Sequence, residues 1–262
     1  MMMSKRILHA SGDPPRWTVR EHRFALLLCA LAVLLIGAPL VQESRSEMPT
    51  KLADMVFPIL FAAMLLSAVF AVSRTRATKV IALLLAIPAT LLQGLQVWVA
   101  TDGFGIAGNL LGILFLGYAV VLILKFVFMS PRITTDMICA SLCVYLLLGF
   151  LYALVYSLLL YRDPTSFVFA LGGNGEDDAM PLGVERTIIT IYYSLVTMST
   201  LGYGDIVPTT LLARTCAALQ AVVGQIYLAV LVARLVGLHI VHSAATSVTE
   251  PREPAMNESR TR

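Results

Sequence analysis

Glycines alternate with larger residues in the stretch Thr200-Leu201-Gly202-Tyr203-Gly204-Asp205. Glycine adopts backbone angles that a side chain obstructs, so Gly202 and Gly204 let consecutive carbonyl groups line a narrow path. A dehydrated cation needs such a cage of oxygens. The stretch therefore predicts an ion filter, although an ordinary turn is the alternative for a bare glycine-aromatic-glycine run. The predicted ion-binding residues are Thr200, Leu201, Gly202, Tyr203 and Gly204, with the Thr200 hydroxyl as a further ligand and the Tyr203 ring as a brace.

The composition is that of an integral membrane protein. Of the 262 residues 58% are hydrophobic and only 13% are charged, and the mean hydropathy is +0.82. Soluble domains carry about twice that share of charged residues. A net charge of +3 is too small to indicate a nucleic-acid partner. The sequence contains no nucleophile-and-base arrangement, phosphate loop or cofactor motif, so we expect neither an enzyme nor a bound cofactor.

Six apolar runs, the first five of them without a charged residue, are long enough to cross a bilayer as helices. A further apolar segment, 187–199, would be about 20 Å long as a helix, which is too short to cross. We therefore expect it to enter the membrane and turn back, with Thr187 as its N-cap. The predicted fold is all-α, with one re-entrant helix and a filter loop beside six spanning helices at 24–41, 55–72, 80–100, 108–124, 137–161 and 211–240.

The distribution of charge predicts the topology. Fourteen of the nineteen Lys and Arg residues lie in the two termini and in the second and fourth connections. The other connections hold five, together with ten of the sixteen acidic residues. Because cytoplasmic loops carry the excess of Lys and Arg, we expect both termini in the cytoplasm and the re-entrant segment to enter from outside. We therefore expect a multi-pass protein of a cell membrane. The short loops suggest that this is a bacterial inner membrane.

The predicted chain has four parts. Residues 1–23 form a cytoplasmic tail, 24–130 a peripheral bundle of four helices, 131–240 a pore domain, and 241–262 a disordered cytoplasmic tail. No internal repeat is present, so each chain supplies one filter segment, and a cyclic homo-oligomer is the simplest way to close a ring of carbonyls. Within the pore domain we expect an outer helix at 136–161, a pore helix at 187–199, the filter at 200–205 and an inner helix at 211–240.

The run from Thr197 to Asp205 closely resembles the pore signature of the potassium-channel family. The resemblance covers roughly residues 136–240, and the chain has Leu201 where the family usually has Val. It implies a homotetramer, K⁺ as the permeant ion, and passive potassium-selective conduction. Two other functions stay open at this point, a weakly selective cation channel and a membrane scaffold or regulatory subunit that keeps the architecture without conducting.

Residues around the filter are assigned partly through this resemblance. Tyr192 and Tyr193 are similar to the family's aromatic cuff, which supports the filter tyrosine, although an interfacial aromatic belt is an alternative. Asp205 follows the filter, where a ring of carboxylates at the pore mouth would concentrate cations. Glu176, Asp177 and Asp178 could do the same, or could simply be a solvated loop.

The inner helix carries a candidate hinge and a candidate cavity lining. Gly224 lies twenty residues after Gly204, the position of the hinge glycine in the pores it resembles, and packing is the alternative role. Helical spacing from Gly224 puts Leu228, Val232 and Val236 on one stripe, which we expect to line the lower cavity and which could gate by dewetting. From Gly108 to Met129, the fourth span and the residues just after it, Lys125 is the one basic residue, so we do not expect steep voltage sensing.

Overall fold

The structure is a computed structural model that describes residues 23–44, 49–73, 75–99, 101–130, 134–169 and 183–249. In these residues the chain forms seven α-helices and one short antiparallel ribbon, in which Phe167 pairs with Pro208 and Phe169 with Ile206. The elements in chain order are α1 Arg23–Glu43, α2 Thr50–Val72, α3 Arg76–Val99, α4 Asp102–Met129, α5 Thr135–Arg162, β1 Phe167–Phe169, α6 Gly183–Met198, β2 Ile206–Pro208 and α7 Leu211–Thr249.

Six of the described helices are long and apolar enough to cross a membrane, which confirms the prediction of six spans. They are α1, α2, α3, α4, α5 and the part of α7 from Leu211 to Gly237. Helix α6 has 16 residues and so measures about 24 Å, short of a hydrocarbon core of about 30 Å. The chain is therefore a multi-pass helical membrane protein with one additional short helix.

The first five helices pack into one bundle. Helix α1 lies against α2 and α5, and α4 lies between α3 and α5. Glycines let α4 approach its neighbours closely: a Cβ atom on Gly112 would lie 2.8 Å from Cδ1 of Leu154 on α5, and one on Gly105 would collide with the hydroxyl of Tyr161. Since real Cβ contacts are longer, a larger residue at either position would require the facing side chain to move.

Buried amides between these helices are hydrogen-bonded to one another. Gln93 on α3 donates to Asn109 on α4 at 3.3 Å, and Asn109 donates to Ser157 on α5 at 2.9 Å. All three side chains are buried. An amide in an apolar interior is costly without a partner, so these bonds fix the relative positions of α3, α4 and α5.

Helix α6 begins near the C-terminus of α5, and the chain after α6 returns to the same place. Arg186, in the first turns of α6, stacks over the ring of Tyr161 at 4.1 Å, near the C-terminus of α5. The ribbon brings β2 back to β1, just beyond Arg162. Residues 183–208 therefore leave and return to one end of the bundle.

Several predicted boundaries are wrong. Thr187 is not the N-cap of α6, because the helix already begins at Gly183 and Thr187 lies inside it, where its carbonyl accepts a hydrogen bond from the Thr190 hydroxyl. Helix α7 ends at Thr249 instead of residue 240, so residues 241–249 are helical and not a disordered tail. The structure does not describe the predicted acidic residues Glu176, Asp177 and Asp178, which lie in 170–182. It likewise leaves out 1–22 and 250–262.

Candidate functional site

The backbone after α6 alternates in handedness. Thr200, Gly202 and Gly204 have φ angles of +60°, +57° and +78°, and Thr200 is the one residue other than glycine with a positive φ in the described chain. Strands turn successive carbonyls to opposite sides, whereas a change of handedness at every second residue turns them to the same side. The left-handed conformation costs a β-branched residue such as Thr about 1–3 kcal/mol, so the surrounding structure must hold Thr200 in place.

The end of α6 anchors the inner part of this segment. The amides of Leu201 and Gly202 both donate to the carbonyl of Val196, at 3.0 and 3.4 Å, and the amide of Thr200 donates to Thr197 at 3.1 Å. These bonds direct the N–H groups toward the helix, which leaves the carbonyl groups for another partner. The Thr200 hydroxyl donates to the Ser199 carbonyl at 2.6 Å.

Neighbouring atoms do not explain the two glycines. A Cβ atom on Gly202 or Gly204 would meet nothing within 4 Å in this chain. The positive φ is therefore the reason that glycine is required, since an L side chain is strained there whatever the space.

Asp205 is held at the end of the segment by two hydrogen bonds. Its Oδ2 accepts from the hydroxyl of Tyr192 at 2.6 Å, and its Oδ1 accepts from the amide of Ile206 at 3.1 Å. The bond to the carboxylate raises the pKa of Tyr192 to about 12, so the phenol stays protonated at physiological pH. The structure thus joins two residues that the sequence assigned to separate roles, filter support and pore mouth.

Tyr193 faces away from the filter segment of its own chain. Its ring packs edge-to-face with Tyr156 of α5 at 5.0 Å and with Phe167 of β1 at 5.1 Å. The ring of Tyr203 is 66% exposed. Among the described residues of one chain, Tyr193 makes no ring contact with Tyr203, and the role of Tyr192 and Tyr193 as an aromatic cuff stays a prediction.

The β1–β2 ribbon ties the outer end of the segment to the end of α5. Beyond the ribbon, the amide of Thr209 donates to the carbonyl of Ser166 at 2.9 Å, and the Thr209 hydroxyl donates to the carbonyl of Thr165. Asp163 caps the turn that carries these acceptors, and hydrogen bonds from the Thr165 hydroxyl and amide lower the pKa of its carboxyl group. The segment is thus attached to α6 at its first residues. At its other end it is attached to α6 through Tyr192 and to α5 through the ribbon.

Gly224 lies at the contact between α7 and the end of α6. A Cβ atom there would lie 2.8 Å from Cγ and 3.0 Å from the carbonyl oxygen of Met198. Close packing therefore accounts for this glycine, and α7 continues through it as a helix. Leu228, Val232 and Val236 are exposed in the single chain, and their role as a cavity lining stays a prediction.

Two residues near the site were missed in the sequence. Arg186 is buried against Tyr161, whose hydroxyl is also hydrogen-bonded to Gln96 of α3. Gln220 is fully buried on α7 and bonds to Ser194 near the end of α6. The available signal was polarity, since ionisable and amide groups in a membrane segment are costly and usually have a specific partner.

The sequence model of a protein family described as an ion channel matches residues 132–238. These residues include α5, α6, the alternating segment and most of α7, and they are similar to an ion-channel pore domain. The similarity supports passive ion conduction by a membrane-embedded protein. The match begins after the first four helices, which it leaves uncovered. No curated protein matches the chain.

Proposed function

We propose that the protein is a potassium-selective channel subunit that conducts K⁺ passively, with residues 200–204 as its filter. The observation that carries this proposal is the alternation of handedness at Thr200, Gly202 and Gly204. It turns consecutive carbonyls to one side while the amides of Leu201 and Gly202 are held by α6. Carbonyl oxygens presented in this way replace the hydration shell of K⁺.

The filter is completed by other copies of the chain. One chain supplies a single row of carbonyls, and a ring needs several rows around an axis. Only 11% of the membrane-spanning part of α7 is buried within the chain, against 50% for α5, and Tyr203 is largely exposed. Packing of copies around α7 would cover both surfaces. By resemblance to the potassium-channel pore we propose a homotetramer.

In the membrane, α6 would act as the pore helix. Helix α6 begins at the end of the bundle where α5 ends, and the segment after α6 returns to that end. The charge distribution assigns this end to the outside of the membrane. The C-terminal end of α6 directly precedes Thr200, and a helix C-terminus carries partial negative charge. Four such ends around an axis would stabilise a cation at a depth where an unshielded charge is costly.

The deciding experiment is a measurement of reversal potential. Purified protein is placed in a planar bilayer with opposed K⁺ and Na⁺ gradients. A reversal near the potassium equilibrium potential supports the proposal. An intermediate value indicates a weakly selective cation channel. An absence of current from protein that is tetrameric in detergent indicates a scaffold or regulatory subunit.

A further inference from the structure

A buried chain of hydrogen bonds joins three helices behind the filter. The Tyr156 hydroxyl on α5 donates to Oε1 of Gln220 on α7 at 2.5 Å. Nε2 of Gln220 donates to the carbonyl oxygen and to Oγ of Ser194 on α6, at 3.0 and 2.6 Å. Oγ of Ser194 donates in turn to the carbonyl of Gly149 on α5 at 2.6 Å. We refer to Tyr156, Ser194 and Gln220 as the Gln220 clamp, and each of them is 0% exposed.

The Gln220 clamp binds α6 at Ser194, just before the residue of α6 that is hydrogen-bonded to the proposed filter. Ser194 lies two residues before Val196, whose carbonyl accepts the amides of Leu201 and Gly202. One turn further along α7 from Gln220, Gly224 contacts Met198, the last residue of α6. The inner helix therefore meets the end of α6 at two successive turns, through hydrogen bonds at the first and through close packing at the second.

Adhesion between helices does not require a polar group at this position. An apolar side chain of similar size would fill the space without the cost of burying an amide. What the amide adds is a defined register, because both ends of the Gln220 carboxamide are used by partners on two different helices. A shift of α7 relative to α6 would leave buried polar groups without partners, which is unfavourable.

We propose that Gln220 is a positioning residue that couples the inner helix to the filter. Through Ser194 it fixes the last turns of α6, and so keeps the backbone of Thr200, Leu201 and Gly202 in its conducting arrangement when α7 moves. The inference rests on the proposed function of the chain as a potassium-selective channel.

The test is the stability of current during sustained opening. Gln220→Met keeps the length of the side chain and removes its hydrogen bonds. We expect currents through this variant to decay about tenfold faster than through the parent, because the loss of a buried hydrogen-bond partner shifts an equilibrium by roughly this factor. Raising external K⁺ should slow the decay, since K⁺ that binds only the conducting arrangement favours it by mass action.

A matched control separates positioning from general stability. Gln93 is also buried and hydrogen-bonded to an amide, but its partner Asn109 lies on α4 and not on α6 or α7. Gln93→Met should lower the melting temperature of the protein and leave the decay rate and its dependence on K⁺ at parental values. A decay in Gln93→Met that is as fast and as sensitive to K⁺ as in Gln220→Met would overturn the inference.

Milder variants cover the case in which Gln220→Met does not assemble. Ser194→Ala and Tyr156→Phe each remove one hydroxyl of the clamp. We expect both to decay faster than the parent, and Ser194→Ala combined with Gln220→Met to decay no faster than Gln220→Met alone, because the residues act as one unit. Parental decay in both single variants would overturn the inference.

Failure of the proposed function and failure of the inference give different results. A parent without potassium-selective current would refute the proposed function itself. A selective parent whose clamp variants decay at the parental rate would refute only the role of Gln220.

Discussion

The hydroxyl of Tyr192 donates a hydrogen bond of 2.6 Å to Oδ2 of Asp205, thirteen residues later and on the far side of the filter segment. The bond joins the side of α6 to the outer end of the segment, and the amide of Ile206 holds the other carboxylate oxygen. The proposed filter segment, residues 200–205, is therefore attached to α6 at both of its ends.

Removal of this bond should destabilise the outer end of the filter. A hydrogen bond in a partly exposed place contributes about 0.5–1.5 kcal/mol, so Tyr192→Phe should shorten the lifetime of the conducting state a few-fold. Macroscopic current during long activation measures this. Tyr118→Phe on α4 is the control, since its hydroxyl makes no hydrogen bond within the described chain. Equal lifetimes for Tyr192→Phe and the parent would show that the bond is incidental.

Selectivity should depend on glycine at position 202. Alanine at a φ of +57° costs about 1–2 kcal/mol per chain, which the segment can relieve by leaving its alternating conformation. Gly202→Ala should therefore lose discrimination between K⁺ and Na⁺ in reversal-potential measurements while it still forms tetramers in size-exclusion chromatography. Gly94→Ala on α3 is the control, because a Cβ there also meets nothing within 4 Å and the residue has no positive φ. A tetrameric Gly202→Ala that is as selective as the parent would exclude this segment as the filter.

The two roles considered for Gly224 give different results for Gly224→Ala. If the glycine is needed for packing, the added methyl group meets Met198 and should lower the free energy of unfolding by about 1–3 kcal/mol. If it serves only as a hinge, alanine should change open probability and leave the stability intact. Thermal melting of the purified protein, with Gly237→Ala as an uncrowded control on the same helix, distinguishes them. We expect the loss of stability.

Voltage should act weakly on the channel. Lys125 is the one basic residue of α4, and full movement of one charge in each of four chains supplies only about 9 kcal/mol per 100 mV. We therefore expect open probability to change shallowly with voltage in solutions without divalent cations or polyamines. A steep activation that persists in Lys125→Gln would mean that another charge moves through the field.

The topology can be tested with single cysteines in a background without the four native ones. Asp177→Cys should react with a membrane-impermeant maleimide only from outside, and Asp13→Cys only from the cytoplasmic side, because the distribution of Lys and Arg places them there. Labelling of intact cells and of inverted vesicles provides the comparison. The reverse pattern would contradict the assigned orientation.

The sequence predicted the spanning helices well and their ends less well. Uncharged runs identify a span because the bilayer excludes charge, but a helix can continue into the interface, as α4 does past Lys125, whose long side chain can reach water. Helix α6 starts four residues before its predicted N-cap, and so includes the charged Arg186, which is buried against Tyr161. That partner lies on another helix, and helical spacing carries no information about it.

The backbone conformation of Gly202 and Gly204 was predictable, and the contacts around these residues were not. Positive φ values at Gly202 and Gly204 follow from local backbone chemistry. In contrast, the bond from Tyr192 to Asp205, the pairing of β1 with β2 and the partners of Gln220 join residues distant in the chain. Each depends on how the helices pack, which a single sequence does not specify.

The glycines of α4 have a mechanical consequence. Gly105 and Gly112 fit against Tyr161 and Leu154, and Asn109 between them is bonded to two neighbouring helices. A slide of one turn, about 5.4 Å, in the direction that brings Leu116 to the place of Gly112 would meet Leu154, and a slide in either direction would break the bonds of Asn109. Helix α4 is therefore held in one axial position between α3 and α5, so a force on the peripheral helices would tilt it as a whole more easily than it would slide it.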